Sequence, residues 1–368
     1  MSAVRDIISQ HPQVWLGFGG LMIGTVFGYL VRRTNFCTMG SISDIVSFGD
    51  YRRFRSWILA GAVALLGAQL LDAAGAVSLA RSMYLAPTFN WFGNTVGGLL
   101  FGFGMVFAGG CASRNLVRVG GGDLRALLTL LVMGVFAYMT LGGLLGPLRD
   151  WLDRSTSVRL GGAKPASQGI GELLGAFLPV DPGTLNLVLA ALIAGAMLKY
   201  CVASKSFRDS PTHVVAGVGV GLCVVVAWAL TGLAFDELSD RPMAPAALSF
   251  VRPTADALEW LQRFTAIMAP GFGVTTVLGT ILGGFLGALQ SGRVQLSSFS
   301  DLGDTKRSLF GAALMGIGGV MAAGCTIGQA VSGLSTLALG SFISFAAIVA
   351  GGVLGMRRLE RMLMAQMG

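Results

Sequence analysis

Three cysteines stand where apolar, glycine-rich runs end: Cys37 in TNFCTMG, Cys111 in FGFGMVFAGGCASRNL and Cys325 in MGIGGVMAAGCTIGQ. A free thiol titrates near pH ~8.5, and apolar surroundings disfavour its anion, so such a group is S–H at neutral pH and a weak hydrogen-bond donor. A string of weak, polarisable donors suits an anion with an exposed sulfur, because it binds without trapping. Gly110 and Gly324, ahead of the second and third thiols, let backbone amides approach. A helix beginning after each break would aim its positive dipole end at the anion. Weak binding at several sites is what conduction needs.

Other residues of the two later motifs join as pathway candidates. Arg114 and Asn115 directly follow Cys111, placed to assist an anion or simply to obey topology, and Thr326 and Gln329 lie in the GCTIGQ turn. Cys201 and Cys223 lie in or beside ordinary spans and read as small buried hydrophobes. Three thiolates could instead hold a soft ion such as Cu(I), but no Met-x-x-Met ladder, CxxC pair or His cluster accompanies them. A redox pair would leave one thiol unmatched. A sulfurtransferase with a persulfide cysteine needs an activating base, and no His or Lys neighbours Cys111 or Cys325 in sequence. The expectation is a protein that is not an enzyme, with no catalytic residue, metal or cofactor. There is no GxxxxGK[ST] phosphate loop.

The elements that must position these thiols are membrane helices. Hydrophobic residues make up 54% of the chain and charged ones only 12%, too few to cover a water-facing surface, and the mean hydropathy is +0.72. The lipid bilayer is therefore the first partner. The net charge of +8 falls in short clusters between apolar runs, which topology and anionic lipid explain without nucleic acid. Arg5 and Asp6 in the first dozen residues, and Arg32 and Arg33 after the first apolar run, argue against a cleaved leader. His11 and His213 are far apart in sequence, and Asp236, Glu237 and Asp240 read as a solvated external loop.

Crossing a bilayer as a helix takes about 20 apolar residues. Nine spans are expected, at 13–31, 56–80, 91–112, 124–147, 184–201, 212–234, 271–290, 309–324 and 334–356. Basic clusters alternate with neutral or acidic connections, which predicts a periplasmic N-terminus and a cytoplasmic C-terminus. Leu309 to Met356 holds no charged residue, yet as one helix it would run about 70 Å at 1.5 Å per residue. It must turn within the membrane, at GCTIGQAVSGLS. Non-helical backbone at that depth must be buried in protein or line a polar cavity. Aligning Phe101–Cys111 on Met315–Cys325 matches Gly102 with Gly316, Gly104 with Gly318, Val106 with Val320, Ala108 with Ala322 and Gly110 with Gly324. This predicts an inverted repeat, with the site between broken helices near the midplane.

The fold class expected is therefore all-α: a polytopic integral membrane protein of about nine transmembrane helices plus short re-entrant or half helices. Residues 1–368 form one transporter domain, with pseudo-symmetric halves 13–147 and 184–356 joined by an external linker, 148–183. One tension follows from hydropathy. Cys37 and Cys111 fall near cytoplasmic ends and Cys325 near an external turn, whereas a shared path requires them to converge.

The strings FCTMG, GGCASRNLVRVGGGDLRAL and GCTIGQAVSGLSTLALGS closely resemble the YeeE/YedE family of bacterial membrane proteins, whose characterised members take up thiosulfate. The resemblance covers most of the chain. It implies a compact helical transporter of the bacterial inner membrane with short pore-lining helices, in which Cys37, Cys111 and Cys325 hand thiosulfate along by S–H···S contacts. It also implies association with small cytoplasmic sulfur-carrier proteins of the TusA type, for which Arg52, Arg53 and Arg55 are candidate docking residues. The residues themselves leave open another sulfur or selenium anion, such as sulfite or a selenium oxyanion.

Overall fold

The computed structural model describes residues 8, 10–160, 167–177, 180–236, 243–299 and 301–367. It is 77% helical. Among the described residues the named strands are β1 (Thr88–Phe89) and β2 (Val158–Arg159), a two-residue antiparallel pair. Among the described residues eight stretches are long and apolar enough to cross a bilayer: Pro12–Phe48, Arg52–Ala73, Gly93–Gly120, Leu124–Leu141, Pro182–Val202, Pro211–Leu233, Phe272–Gln290 and Leu339–Ala365. The remaining expected span, 309–324, is the later part of a longer helix, Leu302–Met321, whose opening carries Asp304, Lys306 and Arg307.

Helix α1 (Pro12–Thr34) opens with proline, whose missing N–H costs nothing in a first turn, and closes at Asn35 in the left-handed conformation, φ 55°. That turn delivers Cys37 to the start of α2 (Thr38–Phe48), which Gly49 ends at φ 63°. After α3 (Arg52–Ala73), two short 3₁₀ turns carry Tyr84 inward. A π-turn, Gly93–Gly97, leads into α4 (Gly98–Phe107), and α5 (Ala112–Gly120) follows after a break. At 1.5 Å per residue neither half-helix reaches across about 30 Å of hydrocarbon.

Asp123 caps α6 (Leu124–Leu141), accepting from the backbone N–H groups of Arg125 and Ala126. The linker expected at 148–183 holds most of α7 (Gly146–Thr156), β2 and α8 (Ile170–Gly175). Asp181 caps α9 (Pro182–Val202), which turns Leu187 and Leu192 outward. There follow α10 (Lys205–Arg208), α11 (Pro211–Leu233), α12 (Val251–Gln262), α13 (Phe272–Gln290) and α14 (Leu302–Met321). A π-turn, Gly328–Gly333, and a 3₁₀ turn precede α15 (Leu339–Met367).

Helices α4 and α14 meet through backbone-to-backbone packing at glycine, the means by which helices associate in lipid. A Cβ on Gly97 would lie 2.8 Å from the Gly318 carbonyl oxygen, and one on Gly318 would lie 2.6 Å from that of Gly97. Gly104 and Gly311 block each other in the same way, at 2.6 Å in both directions. Aligned on Cys111 and Cys325, Gly97 corresponds to Gly311 and Gly104 to Gly318, so each contact is the counterpart of the other. The larger packing repeats this relation. Helix α4 packs on α15 as α14 packs on α6, and α3 packs on α11 as α13 packs on α1. Phe27, Phe101, Trp228 and Phe250 fill the interior between them.

Candidate functional site

The breaks at Cys111 and Cys325 share one backbone design. Helix α4 ends with Ala108 N–H donating to Gly104 O at 2.9 Å and Gly110 N–H to Met105 O at 2.9 Å. Helix α14 ends with Ala322 N–H donating to Gly318 O at 2.9 Å and Gly324 N–H to Gly319 O at 2.8 Å. Between these bonds Gly109 and Ala323 turn left-handed, at φ 72° and 53°. Side chains then tie each turn down: Asn115 Nδ2 donates to Gly110 O at 3.0 Å, and Gln329 Nε2 to Ala322 O at 2.5 Å. Gly110, Asn115, Gly324 and Gln329, singled out in the sequence, thus all sit in the two breaks.

All three thiols are buried, Cys37 with 8% of its surface exposed, Cys111 with 1% and Cys325 with none. Cys37 caps α2, its Sγ accepting from Gly40 N–H at 3.4 Å. Cys111 stands at the cap of α5, its Sγ 3.3 Å from Ser113 Oγ. Cys325 Sγ accepts from Gly328 N–H at 3.4 Å and lies 4.0 Å from Ser249 Oγ. Cys111 is within electrostatic range of both Cys37 and Cys325, and Arg114 is within range of Cys37. The two breaks leave Cys111 and Cys325 buried in the protein rather than at the ends of plain spans.

Buried polar atoms without a hydrogen-bond partner gather at the same places. They include Thr38 Oγ1 and Ser41 Oγ after Cys37, Arg114 Nη1 after Cys111, and Thr326 Oγ1 and Gln329 Oε1 after Cys325. An unsatisfied buried group costs about 1–3 kcal/mol, and for the donors among them, Arg114 Nη1 and the hydroxyls of Thr38, Ser41 and Thr326, an accepting guest can recover it.

A cavity of about 590 Å³ reaches the Cys325 break, with Tyr84, Ser249, Arg252, Asp256 and Gly324 on its wall. Burial pushes the Asp256 carboxyl up, while Tyr138 and Arg263 hold Glu259 below the usual range. Tyr138 donates to Asp256 at 3.1 Å and also to Glu259. The approach to Cys325 is made by irregular backbone before α12, whose polar groups side chains satisfy: Ser332 Oγ donates to Leu248 O at 2.7 Å and Thr231 Oγ1 to Ala246 O at 2.7 Å. Ser249, Ser332 and Tyr84 were not among the residues picked out by sequence. The pairing of halves was the signal that could have pointed to Ser249, because it directs attention to whatever opens α12.

The remaining candidates lie elsewhere. Cys201 donates to Arg55 O at 3.3 Å, and Cys223 is buried on α11. Arg52 pairs with Asp50 at 2.7 Å and Arg53 with Asp44 at 3.3 Å, while Arg55 lies over the Tyr200 ring at 4.3 Å. His213 is 2.6 Å from Ser210 Oγ, and Glu237 and Asp240 lie outside the described residues. Among the described residues no group of three or more His, Cys, Asp or Glu is placed to hold a metal.

A family model described as sulphur transport matches residues 33–354. The chain is 30% identical over 321 residues to the "Thiosulfate transporter TsuA" of Escherichia coli K12, covering 84% of this chain and 85% of that one. It is 28% identical over 329 residues to the "Thiosulfate transporter TsuA" of Spirochaeta thermophila, covering 88% and 93%. Over 114 residues it is 30% identical to the "Probable transporter YedE" of Salmonella typhimurium, covering 30% and 26%.

Proposed function

The chain belongs to the sulphur-transport (YeeE/YedE) family, and from that premise we propose that it takes up thiosulfate across the bacterial inner membrane along Cys325, Cys111 and Cys37. Support for the substrate comes from the two relatives named as thiosulfate transporters, which align over most of their length. The observation that carries the path is the place of Cys111, in range of both other thiols, with unpartnered polar atoms beside all three. Neutral thiols give the terminal sulfur weak holds in sequence, so the anion is passed on rather than captured. Gly110 and Gly324 open the backbone at the breaks, Asn115 and Gln329 hold the two turns in shape, and Arg114 Nη1 and Thr326 Oγ1 offer donors to the anion's oxygens.

In this reading 13–147 and 184–356 are inverted halves joined by 148–183, with a periplasmic N-terminus and a cytoplasmic C-terminus. The cavity at Cys325 is the periplasmic mouth. The arginine-rich end near Cys37 faces the cytoplasm, where a TusA-like sulfur carrier would collect the product. Labelled thiosulfate uptake by vesicles carrying Cys111→Ala or Cys325→Ala tests the path. Loss of uptake by correctly inserted protein supports it, and wild-type uptake by both variants rules it out.

A further inference from the structure

The two halves place a residue opposite Cys37, and that residue is not a cysteine. Helix α2 packs on α3 and α15, whereas α12 packs on α13 and α6, their counterparts in the other half. Cys37 opens α2 and lies in range of Cys111. Ser249 stands one residue before the cap of α12 and lies 4.0 Å from Cys325. The row is therefore Cys37 and Cys111 on one side, Cys325 and Ser249 on the other, with a hydroxyl where symmetry would allow a fourth thiol.

Ser249 is also where the row meets the outside. It is half-buried, on the wall of the 590 Å³ cavity, which Arg252 and Gly324 also line. A Cβ on Gly328 would come 2.8 Å from Ser249 Oγ and 3.6 Å from the Tyr84 hydroxyl, so the absence of a side chain there keeps both hydroxyls close to the thiol. A hydroxyl is a good donor to oxygen, whereas a thiol is a weak, polarisable one suited to sulfur. Side by side at the mouth, the two donors differ in the atom each prefers.

We infer that Ser249 is a specificity-determining residue of the outer mouth, holding an oxygen of the entering anion while Cys325 meets its terminal sulfur. The pair selects anions that carry both atom types over sulfate, which offers only oxygen. This rests on the thiol path proposed above. Uptake kinetics of S249A and C325A, measured in parallel on inserted protein, separate the two ideas. The inference expects S249A to raise the KM for thiosulfate roughly tenfold with little change in the maximal rate, while C325A abolishes uptake. A wild-type KM in S249A, with C325A inactive, overturns the role of Ser249 and leaves the path standing. Uptake by C325A at the wild-type rate overturns the path itself.

A second variant covers the case in which S249A fails to fold. In S249C, a membrane-impermeant alkylating reagent added outside is expected to modify residue 249, as read by mass on its peptide. Thiosulfate, but not sulfate, should slow that reaction about tenfold. Equal protection by both anions, or by neither, overturns the inference.

Discussion

Ala323 holds at φ 53° the backbone position that Gly109 holds at φ 72° in the other half, each two residues before its cysteine. A left-handed conformation costs a residue with a Cβ about 1–2 kcal/mol. Ala323→Gly should therefore stabilise by up to about 1 kcal/mol, once the greater freedom of glycine in the unfolded chain is discounted. Gly109→Ala should destabilise by about 1–2 kcal/mol, since its Cβ would also press on Arg118 Nη1 at 3.2 Å. Thermal unfolding midpoints in detergent, moving in opposite directions, check the pair.

Gly318→Ala tests the crossing of α4 and α14. The added Cβ would lie 2.5 Å from the Phe101 backbone nitrogen, and neither backbone can yield, so about 1–3 kcal/mol of stability should be lost. Gly195 on α9 is the control. A Cβ there meets nothing within 4 Å, and alanine should gain up to about 1 kcal/mol from helix propensity.

Cys201→Ala and Cys223→Ala should transport thiosulfate at the wild-type rate. Both side chains are buried, but Cys201 is spent on the Arg55 carbonyl and Cys223 lies among core residues of α11. Uptake assays beside Cys111→Ala check whether these two thiols serve packing alone.

Arg114→Gln keeps a polar side chain but removes the charge. A hydrogen bond to a charged group is worth about 1.5–3 kcal/mol, so uptake should fall roughly tenfold or more. Unchanged initial rates would show that Arg114 serves topology alone.

Asp123 gives a pH signature. Burial alone would raise its carboxyl, but the hydrogen bond and charge of Arg118, with Arg125 and the amide of Ala126, prevail and hold it below the ordinary aspartate range. Its contribution is thus complete above the unfolded value of about 3.9 and is lost as pH falls through the lower folded value. Asp123→Asn should lower the unfolding midpoint at pH 7, and the gap to wild type should close in the acid range below pH ~4.

The break at Cys325 was legible because length and charge forced it, and the one at Cys111 because its glycine–cysteine string aligns on the first. A charge-free run too long for one crossing must turn, and glycine beside cysteine marked where. Cys37 was harder to place, because its position depends on the left-handed Asn35 and on α2 starting at once, neither of which hydropathy registers. The helix carrying the span expected at 309–324 runs well past it because Asp304, Lys306 and Arg307 extend it beyond the apolar stretch. Ser249 stayed hidden in ALSF, an ordinary string whose meaning comes only from the cysteine that packing brings beside it. The short helices of the linker carried too little periodicity to separate from a loop.

The glycine crossing of α4 and α14 has a bearing on electrical tightness. A seam too narrow for a methyl group is also too narrow for a file of water, so no ion can leak between α4 and α14 along this crossing.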